Sequence, residues 1–173
     1  MSFTPAVSEQ KFVLEHIARI DDLAKQERFE DATSDMVEAV LEGAGAFAAG
    51  EWAPLDRVGD TVGARWTENG VVMPEGFHAA YKAFVEGGWG TISSPRDFGG
   101  QGMPVCLNAA VLETMGSANT AFALCPILTV GAIEAYTAGA EISPRRGRWL
   151  WIPTDDIPDR VGKRSITPEN YTK

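Results

Sequence analysis

Cysteine and histidine are scarce in this chain, which has two of each among its 173 residues. Cys106 and Cys125 lie far apart with no metal ligands beside them, so we expect reduced buried thiols rather than a disulfide or a metal site. His16 and His78 have no Ser or Cys partner in a recognisable arrangement, which favours surface histidines over catalytic ones. The composition therefore indicates neither a nucleophile nor a metal centre.

Basic residues and long apolar runs are also few. No charged segment precedes an apolar one at the N-terminus, and Gly131 and Glu134 interrupt the longest apolar run, so we expect neither a signal peptide nor a membrane span. The net charge of -9 disfavours nucleic acid and anionic lipid as partners. We expect a cytoplasmic protein with no nucleic acid and no membrane among its partners.

Apolar residues are abundant, at 45% of the chain, which is enough for one sizeable core but not for two complete domains. Past Glu141 the character changes, because prolines recur and seven Lys and Arg outnumber four Asp and Glu between residues 142 and 173. We expect a helical domain over residues 1–141. Residues 142–173 are predicted to be an irregular basic tail, of the kind that an out-of-frame or foreign sequence would give.

Apolar residues recur at helical spacing from Glu9 to Glu27 and again from Ser34 to about Trp52, which predicts two amphipathic helices. Ser34 or Thr33 is the expected N-cap of the second helix, and Pro54 its end. Their apolar faces are predicted to consist of Phe12, Val13, Ile17, Ile20, Leu23 and Ala24 in the first helix, and of Met36, Val37, Val40, Leu41, Ala44, Phe47 and Ala48 in the second.

Between Leu55 and Met73 the sequence has no sustained period, so we expect a connection with a short hairpin, whose arms are Trp66 and Val71–Val72. A third helix is predicted to begin at residues 74–76 and to end at the glycines 87 and 88, which suit a left-handed cap. Its predicted apolar face consists of Phe77, Ala80, Tyr81, Phe84 and Val85. A fourth helix opens at Met103-Pro104, with Leu107, Ala110, Val111 and Met115 on one face.

The fifth predicted helix runs from Asn119, a good N-cap, to Ala138. It is apolar around its whole circumference, which predicts burial on every side. Pro126 should remove one backbone hydrogen bond and bend the helix. Thr120 and Thr129 are expected to bond to the backbone, as a cap and one turn back, although either hydroxyl could instead contact a ligand. The predicted fold is all-α, an up-and-down bundle of about five helices.

Several polar features allow two interpretations. The run GGQG at residues 99–102 lacks the Lys-Ser/Thr of a P-loop, so a structural turn is favoured over a phosphate cradle. The arginines at 145–148 could attract phosphate groups, but a solvated tail is the safer interpretation. Glu113 and Glu134 would have a raised pKa if buried, and helix-surface solvation is favoured for both.

Three segments together resemble the N-terminal helical domain of acyl-CoA dehydrogenases in order and spacing. They are YKAFVEGGW at residues 81–89, PRDFGGQG at 95–102 and SANTAF at 117–122. The residues APL at 53–55, followed by Gly59-Asp60 and Asn69-Gly70, are most similar to the long-chain branch that includes methylmercaptopropionyl-CoA dehydrogenases. The resemblance covers roughly residues 7–141.

The resemblance implies that the helical domain lies over a flavin-binding β-domain and that its fifth helix helps to wall a fatty-acyl slot. In such enzymes a carboxylate removes the α proton of an acyl-CoA thioester while hydride leaves the β carbon for FAD. The implied partners are the acyl-CoA substrate, electron transfer flavoprotein and a second copy or partner subunit. The implied slot residues are Phe122, Leu124, Cys125, Leu128 and Thr129.

The chain departs from the family from Ile142 onward, where the polar helix and flavin-contacting segment of the family do not follow. The catalytic carboxylate belongs to a later helical domain of the family, so we expect no catalytic residue within residues 1–173. This pattern predicts a truncated dehydrogenase that is inactive alone and does not hold FAD stably. The alternative is a non-catalytic helical interaction module, or a subunit that completes a split dehydrogenase.

Overall fold

A computed structural model of the protein describes residues 3–142, with side chains as far as residue 133. In chain order the elements are α1 (Val7–His16), α2 (Ile20–Leu23), α3 (Ser34–Phe47), α4 (Ala53–Thr61), β1 (Arg65–Thr67), β2 (Gly70–Val72), α5 (Phe77–Glu86), α6 (Val105–Ala118) and α7 (Thr120–Ile142). Within residues 3–142 the only sheet is the two-stranded one, so the predicted all-α fold is confirmed.

The chain divides into two compact units, Met1–Ala132 and Ile133–Lys173. Of the second unit the structure describes residues 133–142, which are helical. The predicted tail, residues 142–173, lies outside the described residues except for Ile142 at the end of α7. All packing described below belongs to the first unit.

The first predicted helix is wrong in its length and in its buried face. Helix α1 ends at His16, and the chain turns through Arg19, which has a left-handed φ of 54°, before α2 begins. Phe12 and Ile17 are exposed, whereas Gln10 and Leu14 are buried. The period of apolar residues was misleading because the buried face is fixed by a polar side chain.

Gln10 joins α1 to α6 through three hydrogen bonds. Its Nε2 donates to the Ala110 carbonyl at 3.0 Å and to Glu113 Oε2 at 3.1 Å. Thr114 Oγ1 donates to Gln10 Oε1 at 3.0 Å. Since a buried amide must be hydrogen-bonded, these contacts set the rotation of α1 on the core. Glu113 itself is exposed, as the favoured interpretation predicts.

Helix α3 begins as predicted, because Thr33 caps it by accepting a hydrogen bond from the Met36 N–H at 3.3 Å. Its end differs from the prediction. One π-helical turn, Ala48–Trp52, follows directly, and α4 then continues to Thr61 with Pro54 in its first turn. Proline is favoured in the first turn of a helix, where its fixed φ suits the helical backbone. The predictions that Pro54 ends the helix and that residues 55–61 are a connection are therefore wrong.

The hairpin and α5 follow the sequence prediction closely. Strands β1 and β2 pair antiparallel, with Trp66 opposite Val71. Helix α5 buries Phe77, Ala80 and Phe84, and the chain leaves it through Gly88, whose φ of 71° is left-handed. Glycine adopts this conformation without the strain that a Cβ would cause.

Helix α6 is the centre of the first unit and packs against α1, α3 and the π-helical turn. Its predicted face is confirmed, since Leu107, Ala110, Val111 and Met115 are all buried. The core also includes Leu41 and Trp52, both with no exposed surface. This rigid centre supports the residues of the candidate site.

Between residues 120 and 132, α7 is buried on one side only. Phe122 and Pro126 are buried, whereas Leu124, Ile127 and Leu128 are exposed, Leu128 by 75%. Burial on every side is therefore not achieved by the first unit. The sequence pattern overstates the burial of α7 here, because the spacing of apolar residues does not show which segments pack against each side of a helix.

The start of α7 is capped by Asn119, whose Oδ1 accepts a hydrogen bond from the Phe122 N–H at 3.0 Å. Asn119 is thus the N-cap that the sequence predicts. Thr120 does not cap the helix, because its hydroxyl donates to the Gly116 carbonyl of α6 at 2.8 Å. Asn119 caps the helix because its side chain reaches the N–H groups of the first turn.

Candidate functional site

A cavity of about 470 Å³ opens between α4, α5 and the first turns of α7, and we call it the aromatic pocket. Its size lies within the range of small-molecule sites. All of the residues that line it belong to the first unit. They are Gly59, Ala64, Met73, Pro74, Phe77, His78, Tyr81, Ala121, Phe122 and Cys125.

One wall of the aromatic pocket is a stack of rings. Phe122 lies between Trp52 and Phe77, with ring centroids 4.5 Å and 5.1 Å away and interplanar angles of 29° and 19°. Tyr81 extends the stack, at 6.4 Å from Phe122. Such offset pairs stabilise by about 0.5–1.5 kcal/mol beyond the area that they bury. The wall is therefore both apolar and stiff.

Asn119 holds this wall in place from behind. While its Oδ1 caps α7, its Nδ2 donates to the Trp52 carbonyl at 3.3 Å. The residue is buried, so both bonds are shielded from water. A single side chain thus connects the π-helical turn that carries Trp52 to the helix that carries Phe122.

The π-helical turn places Trp52 at the base of the stack. A π turn adds one residue to the helix, which rotates everything after it relative to α3. Trp52 Nε1 is buried without a hydrogen-bond partner in the part of the chain that the structure describes. Burying this N–H unpaired costs about 1–3 kcal/mol, and the ring contacts of Trp52 offset that cost.

The rim of the aromatic pocket carries its few polar groups, on His78, Tyr81 and Cys125, all of which are exposed. Partial burial raises the pKa of the Tyr81 phenol, and the nearby Cys125 raises it further. Tyr81 is therefore a neutral hydrogen-bond donor at pH 7. None of the residues that line the pocket is Asp, Glu, Lys or Arg. The site can bind an apolar group but has no carboxylate for proton abstraction.

Of the slot residues implied by the sequence, Phe122 and Cys125 line the aromatic pocket. Leu124, Leu128 and Thr129 lie on the exposed face of α7 instead. Cys125 is exposed and not buried, contrary to expectation. Cys106 is half-buried, and burial raises the pKa of its thiol, so it too lacks the character of a nucleophile.

Sequence reasoning missed the contributions of α4 and α5 to the site, above all Gly59, Phe77 and Tyr81. The spacing of Phe77 and Tyr81, four residues apart, indicated a shared apolar face. It could not show that Phe122, far along the chain, completes that face. Gly59 fell in a segment for which no helix was predicted.

The glycine-rich loop at residues 94–102, here called the rim loop, is a structural turn. Its backbone N–H groups are used internally: that of Gly100 donates to the Pro95 carbonyl at 3.0 Å, and that of Gly102 to the Ser94 carbonyl at 2.9 Å. Arg96 ties the loop to Asp31 and to the Gln101 carbonyl. The N–H groups of Gly100 and Gly102 are therefore not available to cradle a phosphate.

The aromatic pocket does not fit the pyrophosphate of a flavin dinucleotide. A pyrophosphate needs free N–H groups or basic side chains, and none of the residues that line the pocket is Lys or Arg. Among residues 3–142, whose side chains are described as far as residue 133, no group of three His, Cys, Asp or Glu side chains could hold a metal ion. Nor does any helix in that range have the length and hydropathy to cross a bilayer.

Most of the chain matches one known protein family. Residues 34–141 match the family model for the N-terminal domain of acyl-CoA dehydrogenases. A 3-methylmercaptopropionyl-CoA dehydrogenase of Ruegeria pomeroyi is 38% identical to this chain over 137 residues. The matched segment covers 79% of this chain but 23% of the relative, so the chain spans about a quarter of that protein's length.

Proposed function

Because this chain belongs to the acyl-CoA dehydrogenase family, we propose that its first unit forms one wall of an acyl-binding slot. The reaction of the intact enzyme is the FAD-dependent α,β-dehydrogenation of an acyl-CoA thioester. The aromatic pocket is the observation that carries the proposal. It is apolar, preformed and free of charged side chains, as a site for the acyl part of a thioester must be.

The energetics favour an acyl chain in this pocket. Each buried methylene contributes about 0.8 kcal/mol, and the ring stack keeps the pocket open without a ligand. The hydroxyl of Tyr81 at the rim can donate one hydrogen bond to a carbonyl or thioether. The exposed apolar face of α7, with Leu124 and Leu128, supplies further wall where other parts of the enzyme cover it.

The catalytic carboxylate and the flavin site belong, in this proposal, to parts of the enzyme other than residues 1–141. The 173-residue polypeptide by itself should then neither hold FAD stably nor dehydrogenate acyl-CoA. Electron transfer flavoprotein would be the electron acceptor of the intact enzyme. If the isolated chain with added FAD and acyl-CoA reduced a dye at an enzymatic rate, this part of the proposal would be wrong.

The name of the relative suggests a thioether in the acyl group, and the pocket suits one. Sulfur packs favourably against aromatic rings, by about 0.3–1.5 kcal/mol, and the rings of Phe77, Tyr81 and Phe122 line the pocket. The matched comparison is 3-methylmercaptopropionyl-CoA against pentanoyl-CoA, which replaces sulfur by a methylene. We expect the thioether to bind the chain roughly two- to tenfold more tightly. Equal affinities would contradict the assignment of sulfur to these rings.

A chimeric enzyme tests the function directly. Residues 7–141 replace the corresponding segment of the Ruegeria pomeroyi relative, and acyl-CoA-dependent dye reduction is measured. The proposal predicts turnover that Cys125→Phe strongly reduces, because the new ring occupies the pocket. Val105→Phe is the control, since Val105 is exposed on α6 and does not line the pocket. A folded chimera in which Cys125→Phe turns over normally would contradict the proposal.

The exposed side of α7 favours a second candidate, a non-catalytic interaction module or a partner subunit of a split dehydrogenase. Leu124, Ile127 and Leu128 together give an apolar surface of the kind that marks an interface. Mixing the chain with a relative that lacks its own N-terminal domain distinguishes the cases. A defined complex formed without a covalent link supports the subunit, and the absence of a complex contradicts it.

A further inference from the structure

The approach of α4 to α5 at Gly59 limits the space in the aromatic pocket. A Cβ at Gly59 would lie 2.9 Å from Phe77 Cζ and 3.8 Å from each of the two adjacent ring carbons. The tip of the Phe77 ring therefore points directly at the α4 backbone. A separation below 3 Å between a Cβ and a ring carbon is not tolerated, so any side chain here must displace the ring.

Gly59 is otherwise unfavourable at its position. Glycine within a helix destabilises it by about 0.5–1 kcal/mol relative to alanine, and α4 continues through Gly59 to Thr61. By contrast, a Cβ at Gly50 would meet nothing within 4 Å. The close contact with Phe77 is the one structural reason for glycine at residue 59.

Gly59 and Phe77 both line the aromatic pocket. One face of the Phe77 ring stacks on Phe122, which in turn stacks on the fully buried Trp52, so that face is already covered. A side chain at Gly59, and any displacement of the Phe77 ring that it causes, therefore take space from the pocket.

We propose that Gly59 is a specificity-determining residue, which sets the longest apolar chain that the aromatic pocket admits by leaving room for the ring of Phe77. The inference rests on the proposed acyl-binding function and names the residues that limit the length of the bound acyl group. Gly59→Ala narrows the pocket and shortens the longest chain. Phe77→Leu removes the ring tip and lengthens it.

The test uses the complete 173-residue chain and straight-chain alcohols from butanol to decanol, followed by chemical-shift titration. In the wild-type chain, affinity should rise about fourfold for each methylene, the equivalent of the 0.8 kcal/mol of its burial, until the pocket is full. In Gly59→Ala the rise should stop at a shorter alcohol. Adding Phe77→Leu to that variant should restore the wild-type limit, and Gly50→Ala should leave it unchanged.

A wild-type limit in folded Gly59→Ala would overturn the inference, as would the absence of any alcohol binding to the wild-type chain. If Gly59→Ala does not fold, the test rests on Phe77→Leu alone. If the longest alcohol up to which affinity rises is unchanged in that variant, the inference is also overturned. The alcohols carry no coenzyme A. A shifted limit together with failure to bind acyl-CoA would therefore sink the proposed function while leaving the role of Gly59 intact.

Discussion

At the scale of single residues, two polar side chains position the apolar wall of the pocket. Asn119 connects the start of α7 to Trp52, and Gln10 fixes α1 on α6. The cap at Asn119 could be predicted from the sequence, because capping depends on local spacing. Its bond to the Trp52 carbonyl could not, because it joins residues that are 67 positions apart.

Replacing Asn119 by alanine should destabilise the chain by about 2 kcal/mol. It removes a helix cap, worth about 1 kcal/mol, and the buried hydrogen bond to the Trp52 carbonyl, worth about 0.5–1.5 kcal/mol. Asn119→Ser keeps a capping oxygen but cannot bond to Trp52, so its loss should be roughly half. Urea denaturation measures both. Wild-type stability in either variant would contradict the double role.

Arg19 carries strain that glycine would relieve. Its left-handed φ costs a non-glycine residue about 1–2 kcal/mol. Its exposed ion pair with Asp22 offsets little of that cost. Arg19→Gly and Arg19→Ala both lose that ion pair. Thermal or urea unfolding should nevertheless show Arg19→Gly to be the more stable by about 0.5–1 kcal/mol, after the greater unfolded-state entropy of glycine is counted. Equal stabilities would show that the turn is unstrained.

At the scale of elements, periodicity located α3, α5 and α6 well because their buried faces are mostly apolar. The same rule failed for α1, where Gln10 is buried and Phe12 exposed. It failed again for α4, because Pro54 looks like a helix end unless the π turn before it is known. A one-residue insertion shifts the phase of the hydrophobic pattern, so no single helical period runs from α3 into α4.

Substitution of Pro54 tests this account of the α3–α4 junction. Because Pro54 occupies the first turn of α4, Pro54→Ala should change the free energy of unfolding by less than about 1 kcal/mol. Val58→Pro, one turn later, removes a hydrogen bond of the helix interior and should cost about 3 kcal/mol or more. Chemical denaturation compares them. Similar effects of the two changes would mean that α4 is not a stable helix.

At the scale of the whole molecule, the family and its all-α fold were predictable, and the full extent of the site was not. The resemblance implied that α7 is a wall of the slot, and two residues of α7, Phe122 and Cys125, line the aromatic pocket. The contribution of α4 and α5 arises only when Phe77 and Tyr81 meet Phe122 in three dimensions. The central claim is that the aromatic pocket, which these three rings line, binds the acyl part of a thioester.

The most direct test is a titration of the isotope-labelled 173-residue chain with octanoyl-CoA, followed by amide chemical shifts. The account predicts saturable shifts in α5 and in the first turns of α7, around Phe77, Tyr81 and Phe122. These shifts should be lost in Cys125→Phe and kept in Val105→Phe. Shifts confined to the rim loop, or none at ligand concentrations that saturate an intact acyl-CoA dehydrogenase, would contradict it.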